Sequence, residues 1–260
     1  MERSLTIAIP ALNEQDNIEA AVRAVRTAGD KVPGLRLEIL VIDDGSTDRT
    51  AEIVRGLERR VAGVRLLQNP ENFGLGASMR RAITEAACEK FIFIPGDNDI
   101  PAETLDLMFA NAYAADVVMC YFDNDECRGR IRYLVSTAFK LIYTTVFDLY
   151  VHYINGPAVY PVSKLRELDL RSTRFSIVAE INVKLLRQGV SFVEVPANRQ
   201  VGLHGSTSMS LRSLVETVRV FLHVLAEVHW RNRARYAHRP ERVHYRVRLE
   251  RAAQPATVER

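Results

Sequence analysis

The sequence predicts an α/β fold: a mostly parallel, twisted sheet flanked by helices, with a helical extension at the C-terminal end. Short β-branched runs alternate with helix-patterned stretches through the first half of the chain. Two runs, 39–42 and 91–94, are continuously apolar, as expected of strands buried on both faces. Polar clusters directly follow the predicted strands, where open α/β sheets bind ligands. A βαβαβαβ order with right-handed crossovers makes such a sheet doubly wound.

The first half supplies the strands and helices of this sheet. A strand over 5–10 precedes a helix in which Ile18, Val22 and Val25 recur at helical spacing, with Asp16 available as its cap. The same two patterns predict strands over 39–42, 64–67, 91–95 and 116–121, and helices over 50–60, over 77–90 and from about 102.

The second half is less regular. Apolar residues from Leu134 to Leu149 recur at helical spacing and predict a long amphipathic helix over 131–153, which the Asn155-Gly156-Pro157 segment ends. The elements predicted after it are a helix over 179–188, a strand over 191–195, a loop over 199–210 and an apolar helix over 211–230. We divide the chain into a main domain over 1–209, an amphipathic helix over 210–232 and a basic tail over 233–260.

Composition fits one large globular domain with appendages. The chain has 260 residues, 47% of them hydrophobic and 26% charged, which excludes wholesale disorder. The longest apolar stretch, 141–162, is interrupted by polar residues and does not predict a membrane-spanning helix. Residues 1–10 read as a strand and not as a signal peptide. Cys88, Cys120 and Cys127 lack CxxC spacing, so we expect reduced thiols in a cytoplasmic protein.

The charge is distributed unevenly. From Arg231 onward there are nine arginines and three glutamates, a net of +6 within a total of +3, so the rest of the chain is mildly acidic. A basic tail favours an anionic partner, either lipid headgroups or nucleic acid. A solvated terminus is the alternative.

Two carboxylates, Asp97 and Asp99, follow the apolar run 91–94. In an extended backbone, side chains two residues apart point the same way, so both could converge on one cation. Hard divalent ions such as Mg²⁺ and Mn²⁺ take oxygen ligands and leave positions open for substrate phosphates. A solvated turn, with Asp99 near the cap of the next helix, is the alternative.

A second acidic pair, Asp43 and Asp44, stands at the end of the second predicted strand. One of them could cap the helix from Thr50, but capping needs a single side chain. The pair could also accept hydrogen bonds from a nucleoside base or a ribose hydroxyl. Gly74 and Gly76 do not extend into a dinucleotide-binding fingerprint, because Met79 occupies the third glycine position. There is no Walker A lysine pattern either, so nicotinamide redox chemistry and P-loop hydrolysis are disfavoured.

Four segments form a series: AIPALNE over 8–14, VIDDGSTD over 41–48, NFGLG over 72–76 and PGDND over 95–99. In order and spacing they resemble family 2 glycosyltransferases, most closely the dolichol-phosphate mannose synthase and polyprenyl-phosphate glycosyltransferase group, over roughly residues 4–208. The resemblance implies a GT-A (Rossmann-like) fold and an inverting hexosyltransferase. It also implies a nucleotide-diphosphate sugar donor and a divalent cation, Mg²⁺ or Mn²⁺.

Carried over by position, the resemblance implies a donor site at the carboxyl edge of the sheet. The first predicted loop would border the nucleoside, Asp43 or Asp44 would read the base or ribose, and Asp97 and Asp99 would act at the sugar and the metal. The implied nucleotide-sugar-binding residues are Pro10, Asn13, Glu14, Asp43, Asp44, Gly74, Asp97, Arg199 and Ser206.

The loop over 199–210 only partly follows the group. Arg199 and Gly202 match its Arg-x-x-Gly pattern, but no lysine follows, and Pro101 stands where synthases of the group often carry glutamine. A phosphate contact and a metal ligand are thus missing or replaced. We expect Arg199 to contact phosphate and the loop to close over the donor; a surface charge is the alternative for Arg199.

The acceptor decides whether a general base is needed. A phosphate monoester is largely ionised at neutral pH and can attack unaided, whereas a sugar hydroxyl needs a positioned carboxylate. The candidate base is Glu180, for which a first-turn helix position is the alternative. The basic residues Arg128, Arg130 and Arg132 could hold an acceptor phosphate or form a solvated face.

The sequence therefore predicts an inverting, metal-dependent glycosyltransferase with Asp97, Asp99 and Glu180 as its catalytic residues. The expected reaction moves a sugar from a nucleotide diphosphate to a polyprenyl phosphate, and transfer to a hydroxyl of a saccharide or small acceptor is the alternative. We expect a cytoplasmic protein that associates peripherally with a membrane through the helix over 211–230 and the tail. A homo-oligomer is a competing use of that helix, and nucleic acid is not an expected partner.

Overall fold

The computed structural model describes residues 3–122, 130–197 and 211–243, except for the side chains of 122–135 and 211–213. In these ranges, eight strands form one sheet in the order β3-β2-β1-β4-β6-β5-β7-β8. The strands are β1 (Arg3–Ala11), β2 (Leu35–Asp43), β3 (Val64–Gln68), β4 (Lys90–Phe93), β5 (Val117–Phe122), β6 (Ala158–Pro161), β7 (Ser191–Ala197) and β8 (Glu241–Arg242).

Within the described residues, eight α-helices flank this sheet. They are α1 (Ile18–Asp30), α2 (Thr50–Arg60), α3 (Leu75–Glu85), α4 (Ala102–Ala110), α5 (Arg130–Val146), α6 (Val162–Arg166), α7 (Ser176–Leu186) and α8 (Leu211–Ala226). A π-helical turn over Glu227–Arg231 continues α8. In the described parts of the chain, no helix is both long and apolar enough to cross a membrane.

The predicted fold class is confirmed. All strand pairs are parallel except those of β6, which runs antiparallel to both β4 and β5. The sequence did not predict β6, which has only four residues and ends on a proline. Because β6 is reversed, it begins at the edge of the sheet where its neighbours end.

Two predicted helices are shorter than expected. Helix α3 ends at Glu85, since the following backbone N–H groups of Ala87 and Cys88 bond to side chains of the sheet, Glu38 and Thr6, at 2.7 and 3.2 Å. Helix α5 ends at Val146 because Asp148 adopts a left-handed φ of 49°. The N–H of Leu149 then closes onto Thr144 O at 2.9 Å, which is a Schellman-type end.

The apolar core forms one layer on each face of the sheet. Helices α1, α2 and α4 cover one face with residues such as Ile18, Val54 and Leu105. Helices α3, α5, α7 and α8 cover the other face with residues such as Met79 and Tyr143. Helix α8 is thus part of the main core and not a detached appendage.

Candidate active site

The acidic segments singled out in the sequence meet at the carboxyl edge of the sheet. Strands β1 and β2 are parallel and in register to their last residues, Ala11 and Asp43, and β4 lies beside β1 in the same direction. The three loops that follow these strands therefore start side by side. Gly96 in the third loop donates its N–H to Pro10 O at 3.2 Å.

The loop after β1 is tied to the loop after β2. The N–H of Asn13 donates to Ser46 Oγ, and Asn13 Oδ1 accepts the N–H of Thr47, both at 2.9 Å. The N–H of Glu14 donates to Thr50 Oγ1 at 2.8 Å. Asn13 has a left-handed φ of 57°, which asparagine tolerates better than most residues. The contacts of Asn13 and Glu14 thus tie the two loops together at the edge of the sheet.

Asp44 is buried and holds in place the loop over residues 72–76, which we call the glycine loop. Its carboxylate accepts hydrogen bonds from Asn69 Nδ2 at 2.7 Å, the N–H of Phe73 at 3.1 Å and the N–H of Gly74 at 2.8 Å. These contacts fix the start of α3. The expected contact of Asp44 with a nucleoside therefore competes with a structural role that the sequence did not indicate.

Asp43 has a different environment. It is fully buried, and its Oδ1 accepts the N–H of Ser46 at 3.0 Å. Its Oδ2 has no hydrogen-bond partner among the described residues. Neither aspartate caps α2: Asp48 accepts the N–H of Thr50 at 2.9 Å. Burial would raise the pKa of Asp48, but hydrogen bonds from Thr50 and Gln15 more than offset it and lower the pKa.

The segment Asp97–Asp99 is an exposed turn. Asn98 has a left-handed φ of 57°, so the extended geometry expected for this segment is wrong. Asp97 Oδ1 accepts the N–H of Asp99 at 3.2 Å, which fixes the turn. Helix α4 begins after Pro101 without a side-chain cap, so Asp99 does not cap it.

The acidic turn fits a hard divalent cation by the chemistry of its donors, which are two exposed carboxylates at a sheet edge. In the described parts of the chain, no three His, Cys, Asp or Glu side chains are grouped as a metal site. Two carboxylates would leave most coordination positions to water and to substrate phosphate, which is typical of magnesium sites.

The glycine loop packs against a distant turn. Gly74 has a φ of 87°, and a Cβ atom there would lie 2.6 Å from Thr173 O, so only glycine fits. The N–H of Gly76 donates to the same carbonyl at 2.9 Å. We call residues 171–174 the support turn, because it contacts both glycines.

A fully buried carboxylate, Glu180, and a half-buried one, Glu216, hold the support turn. Glu180 accepts the N–H of Arg171 at 3.0 Å and that of Ser172 at 2.8 Å. Glu216 of α8 accepts the N–H of Thr173 at 3.0 Å and of Arg174 at 3.2 Å. The sequence offered no signal for Glu216 except that it is an acidic residue in an apolar helix.

This geometry does not support Glu180 as a general base. Its side chain is fully buried and forms an ion pair with Lys184, 2.9 Å from Nζ to Oε1, and the lysine is also fully buried. A second carboxylate, Glu227 Oε2, lies 2.8 Å from the same Nζ. These contacts favour a structural role for the Glu180 carboxylate over the catalytic role expected from the sequence.

Several expected site residues cannot be placed. Arg128, Arg199 and Ser206 lie outside the described residues. Arg130 and Arg132 lie at the start of α5, in the part where side chains are not described. Their expected contacts with phosphate stay predictions.

Curated relatives match part of the chain. A dolichyl-phosphate beta-glucosyltransferase of Trichomonas vaginalis is 31% identical over 96 residues, 35% of this chain and 28% of that protein. A dolichol-phosphate mannosyltransferase of Pyrococcus furiosus is 30% identical over 101 residues, 39% of this chain and 28% of that protein. The matches therefore span less than a third of either relative.

Solved structures resemble the chain over most of its length. Glucosyl-3-phosphoglycerate synthase from Mycobacterium tuberculosis, in complex with Mg²⁺ and uridine diphosphate, has a TM-score of 0.64 at 16% identity, covering 86% of this chain and 80% of the other. Residues 1–349 of S. aureus TarS in complex with uridine diphosphate give 0.59 at 18% identity, covering 89% and 68%. These similarities show the GT-A fold.

The family assignment follows from the first part of the chain. The family model described as glycosyl transferase family 2 matches residues 6–169, which is more than half of the sequence and includes all three acidic loops. The chain belongs to glycosyl transferase family 2.

Proposed function

We propose that this enzyme transfers a sugar, with inversion, from a nucleotide-diphosphate sugar to a polyprenyl phosphate in a metal-dependent reaction. The observation that carries the proposal is the convergence of the loops after β1, β2 and β4 on one edge of the sheet. The relatives named above are dolichyl-phosphate and dolichol-phosphate transferases, which supports this class of acceptor.

The donor would lie across the acidic edge. The nucleoside would lie near Pro10, Asn13 and Glu14, and the diphosphate would reach toward Asp97 and Asp99. A divalent cation held by the two aspartates would stabilise the charge on the departing nucleotide. Uridine diphosphate appears in both solved structures named above, so it is the first nucleotide to test.

The role of Glu180 favours a phosphate acceptor. A phosphate monoester carries its own negative charge at neutral pH and attacks without a base. The acidic residue expected to serve as base is fully buried in an ion pair. An enzyme that uses an ionised acceptor does not need that carboxylate for catalysis.

Transfer to a hydroxyl is the second candidate function. It is favoured by the missing lysine after Gly202 and by Pro101, where the chain departs from the polyprenyl-phosphate group. A different carboxylate would then have to serve as the base.

A two-part experiment tests the proposal. Thermal shift with a panel of nucleotide sugars, with and without Mn²⁺, identifies the donor because ligand binding raises the unfolding temperature. The selected donor is then incubated with a polyprenyl phosphate or with the same alcohol lacking phosphate. Product from the phosphate alone supports the proposal, and product from saccharide acceptors alone supports the alternative.

We place the reaction on the cytosolic face of a membrane, where nucleotide sugars and the phosphate of a lipid acceptor can meet. The protein would associate with that surface peripherally.

A further inference from the structure

Two neighbouring helices each present apolar side chains to solvent. On α5, Leu141 is 63% exposed and Ile142 is 50% exposed. On α8, the exposed apolar residues are Leu214, Val215, Val218 and Leu222, each at least half exposed. The opposite side of α8 is buried in the core through Val220 and Val224. Helix α8 is thus apolar on its outer side as well, which core packing does not explain.

The two helices lie side by side and run in the same direction. The ring centroid of Phe221 in α8 lies 5.1 Å from the ring centroid of Tyr143 and 5.7 Å from that of Phe147. Near the end of both helices, His229 Nε2 lies 3.1 Å from Val146 O. We call the exposed apolar residues of this helix pair the α5–α8 face.

The α5–α8 face begins close to the carboxyl edge of the sheet, where the proposed donor site lies. Near the start of α8, Glu216 accepts hydrogen bonds from the support turn. The support turn in turn contacts Gly74 and Gly76 of the glycine loop. At the other end Trp230 is 69% exposed, and the exposed Arg231 and Arg233 follow. An exposed tryptophan followed by cations is typical of a boundary between apolar lipid and headgroups.

The sequence of these two helices is rich in cations. Together α5 and α8 contain five lysines and arginines and one acidic residue, Glu216. The Glu216 carboxylate is turned inward, where it accepts a hydrogen bond from Ser176 Oγ at 2.6 Å. Both helices thus carry a net positive charge beside their exposed apolar residues, with Lys140 and Arg219 among the described side chains, and would complement an anionic surface.

We propose that the α5–α8 face binds the surface of an anionic lipid membrane. The apolar side chains would enter the headgroup boundary while the basic residues contact the headgroups. A second copy of the chain is a poorer occupant, because a two-fold contact would place the same basic residues opposite each other. The inference rests on the proposed function, and it names the surface that would bring a lipid acceptor to the proposed donor site at the carboxyl edge of the sheet.

Vesicle flotation of the full chain tests the proposal without requiring transfer. The vesicles contain either phosphatidylcholine alone or equal parts of phosphatidylcholine and phosphatidylglycerol. The test variant is V218E/L222E, and V218S/L222S removes the apolar groups without adding charge. The control A20E/A110E makes the same charge change at exposed positions on α1 and α4, on the opposite layer of the molecule.

The wild-type protein and A20E/A110E are expected to float with the anionic vesicles and to bind phosphatidylcholine more weakly. Both Val218/Leu222 variants should lose roughly tenfold or more in vesicle affinity, since two apolar side chains no longer enter the lipid. Their unfolding temperatures should match the wild type, because the substituted side chains are exposed.

Three results would overturn the proposal. Equal flotation of V218S/L222S and wild type would mean that the basic tail alone binds lipid. If A20E/A110E lost as much vesicle affinity as V218E/L222E, the change in net charge alone would explain the loss. No flotation of the wild type, together with a dimer that V218E/L222E dissociates, would assign the face to a second copy. Vesicle binding without transfer to a polyprenyl phosphate would refute the proposed function and leave this inference standing.

Discussion

The carboxylate of Asp44 accepts the backbone N–H of Gly74 at 2.8 Å, so the end of β2 directly positions the loop that opens α3. The same carboxylate binds Asn69 and the N–H of Phe73. An acidic side chain at the carboxyl edge of the sheet is therefore part of the scaffold of that edge.

Replacing Asp44 with asparagine should lower both stability and donor affinity. The amide has one acceptor oxygen in place of two, and its NH₂ group would face backbone N–H donors. Hydrogen bonds to a charged acceptor contribute about 1.5–3 kcal/mol each, so we expect the free energy of unfolding to fall by about 2–3 kcal/mol. Chemical denaturation and the donor KM measure the two effects. Asp30→Asn, on the exposed part of α1, is the control. A raised KM with unchanged stability would show direct nucleoside contact instead.

Replacing Asp99 with alanine should remove activity without affecting the fold. The side chain is exposed in a turn, so the unfolding temperature should not change. Loss of a metal-binding carboxylate should reduce turnover on the order of 100-fold or more. The stabilisation of the protein by nucleotide diphosphate with Mn²⁺ should fall in parallel. Near-normal turnover with Mn²⁺ present would rule out the metal assignment.

Replacing Glu180 with glutamine should affect folding more than chemistry. The change leaves two backbone N–H groups without their charged acceptor and weakens the pairing of a buried lysine, which should cost about 3 kcal/mol. In the folded protein, the acidic limb of the pH–rate profile should keep its position. A general base would behave differently, because its loss would reduce kcat about 10²–10⁴-fold and remove that limb.

The sequence predicted most elements of the first half of the chain well. Helix α2 has the predicted bounds, Thr50–Arg60, and the strands around 5–10 and 64–67 are present. Strand β6 was missed, since four residues ending in proline carry too little pattern to be recognised. Helix ends were predicted poorly where side chains from other elements take over the backbone hydrogen bonds, as Glu38 does for Ala87.

The roles of the acidic residues were harder to predict than their positions. Glu180 and Lys184 have the i, i+4 spacing of an ordinary surface pair, yet both are fully buried. Only the packing of α8 onto α7 brings Glu227 to the same lysine and closes the site to solvent. A single sequence does not carry that tertiary information.

The buried Lys184 and Glu227 pair predicts an acid-sensitive fold. Burial would raise the pKa of Glu227, but the hydrogen bond and charge of Lys184, together with the Tyr236 hydroxyl and His223, more than offset it and lower the pKa. A carboxyl whose pKa is lowered on folding stabilises the protein at pH values above its ordinary pKa of 4.5. This contribution is lost as the pH falls below 4.5.

Denaturation curves at a series of pH values measure this contribution. Glu227→Gln should be less stable than wild type at pH 7 and should lose stability less steeply in acid. Glu167→Gln is the matched control, since that side chain is 65% exposed. Identical acid slopes for the wild type and Glu227→Gln would contradict the prediction.

Glu216 should affect the donor site from a distance. Its carboxylate accepts the N–H groups of Thr173 and Arg174, and Thr173 O in turn accepts the N–H of Gly76 at 2.9 Å. Glu216→Gln should loosen this connection, accelerate hydrogen exchange at the Gly76 amide and raise the donor KM more than it changes kcat. The exposed Glu52, changed to glutamine, should alter none of these. Glu216 joins α8 to the support turn, and the support turn contacts the glycine loop. If Glu216→Gln destabilised α8 alone, hydrogen exchange at the Gly76 amide would stay unchanged. That outcome would refute the connection.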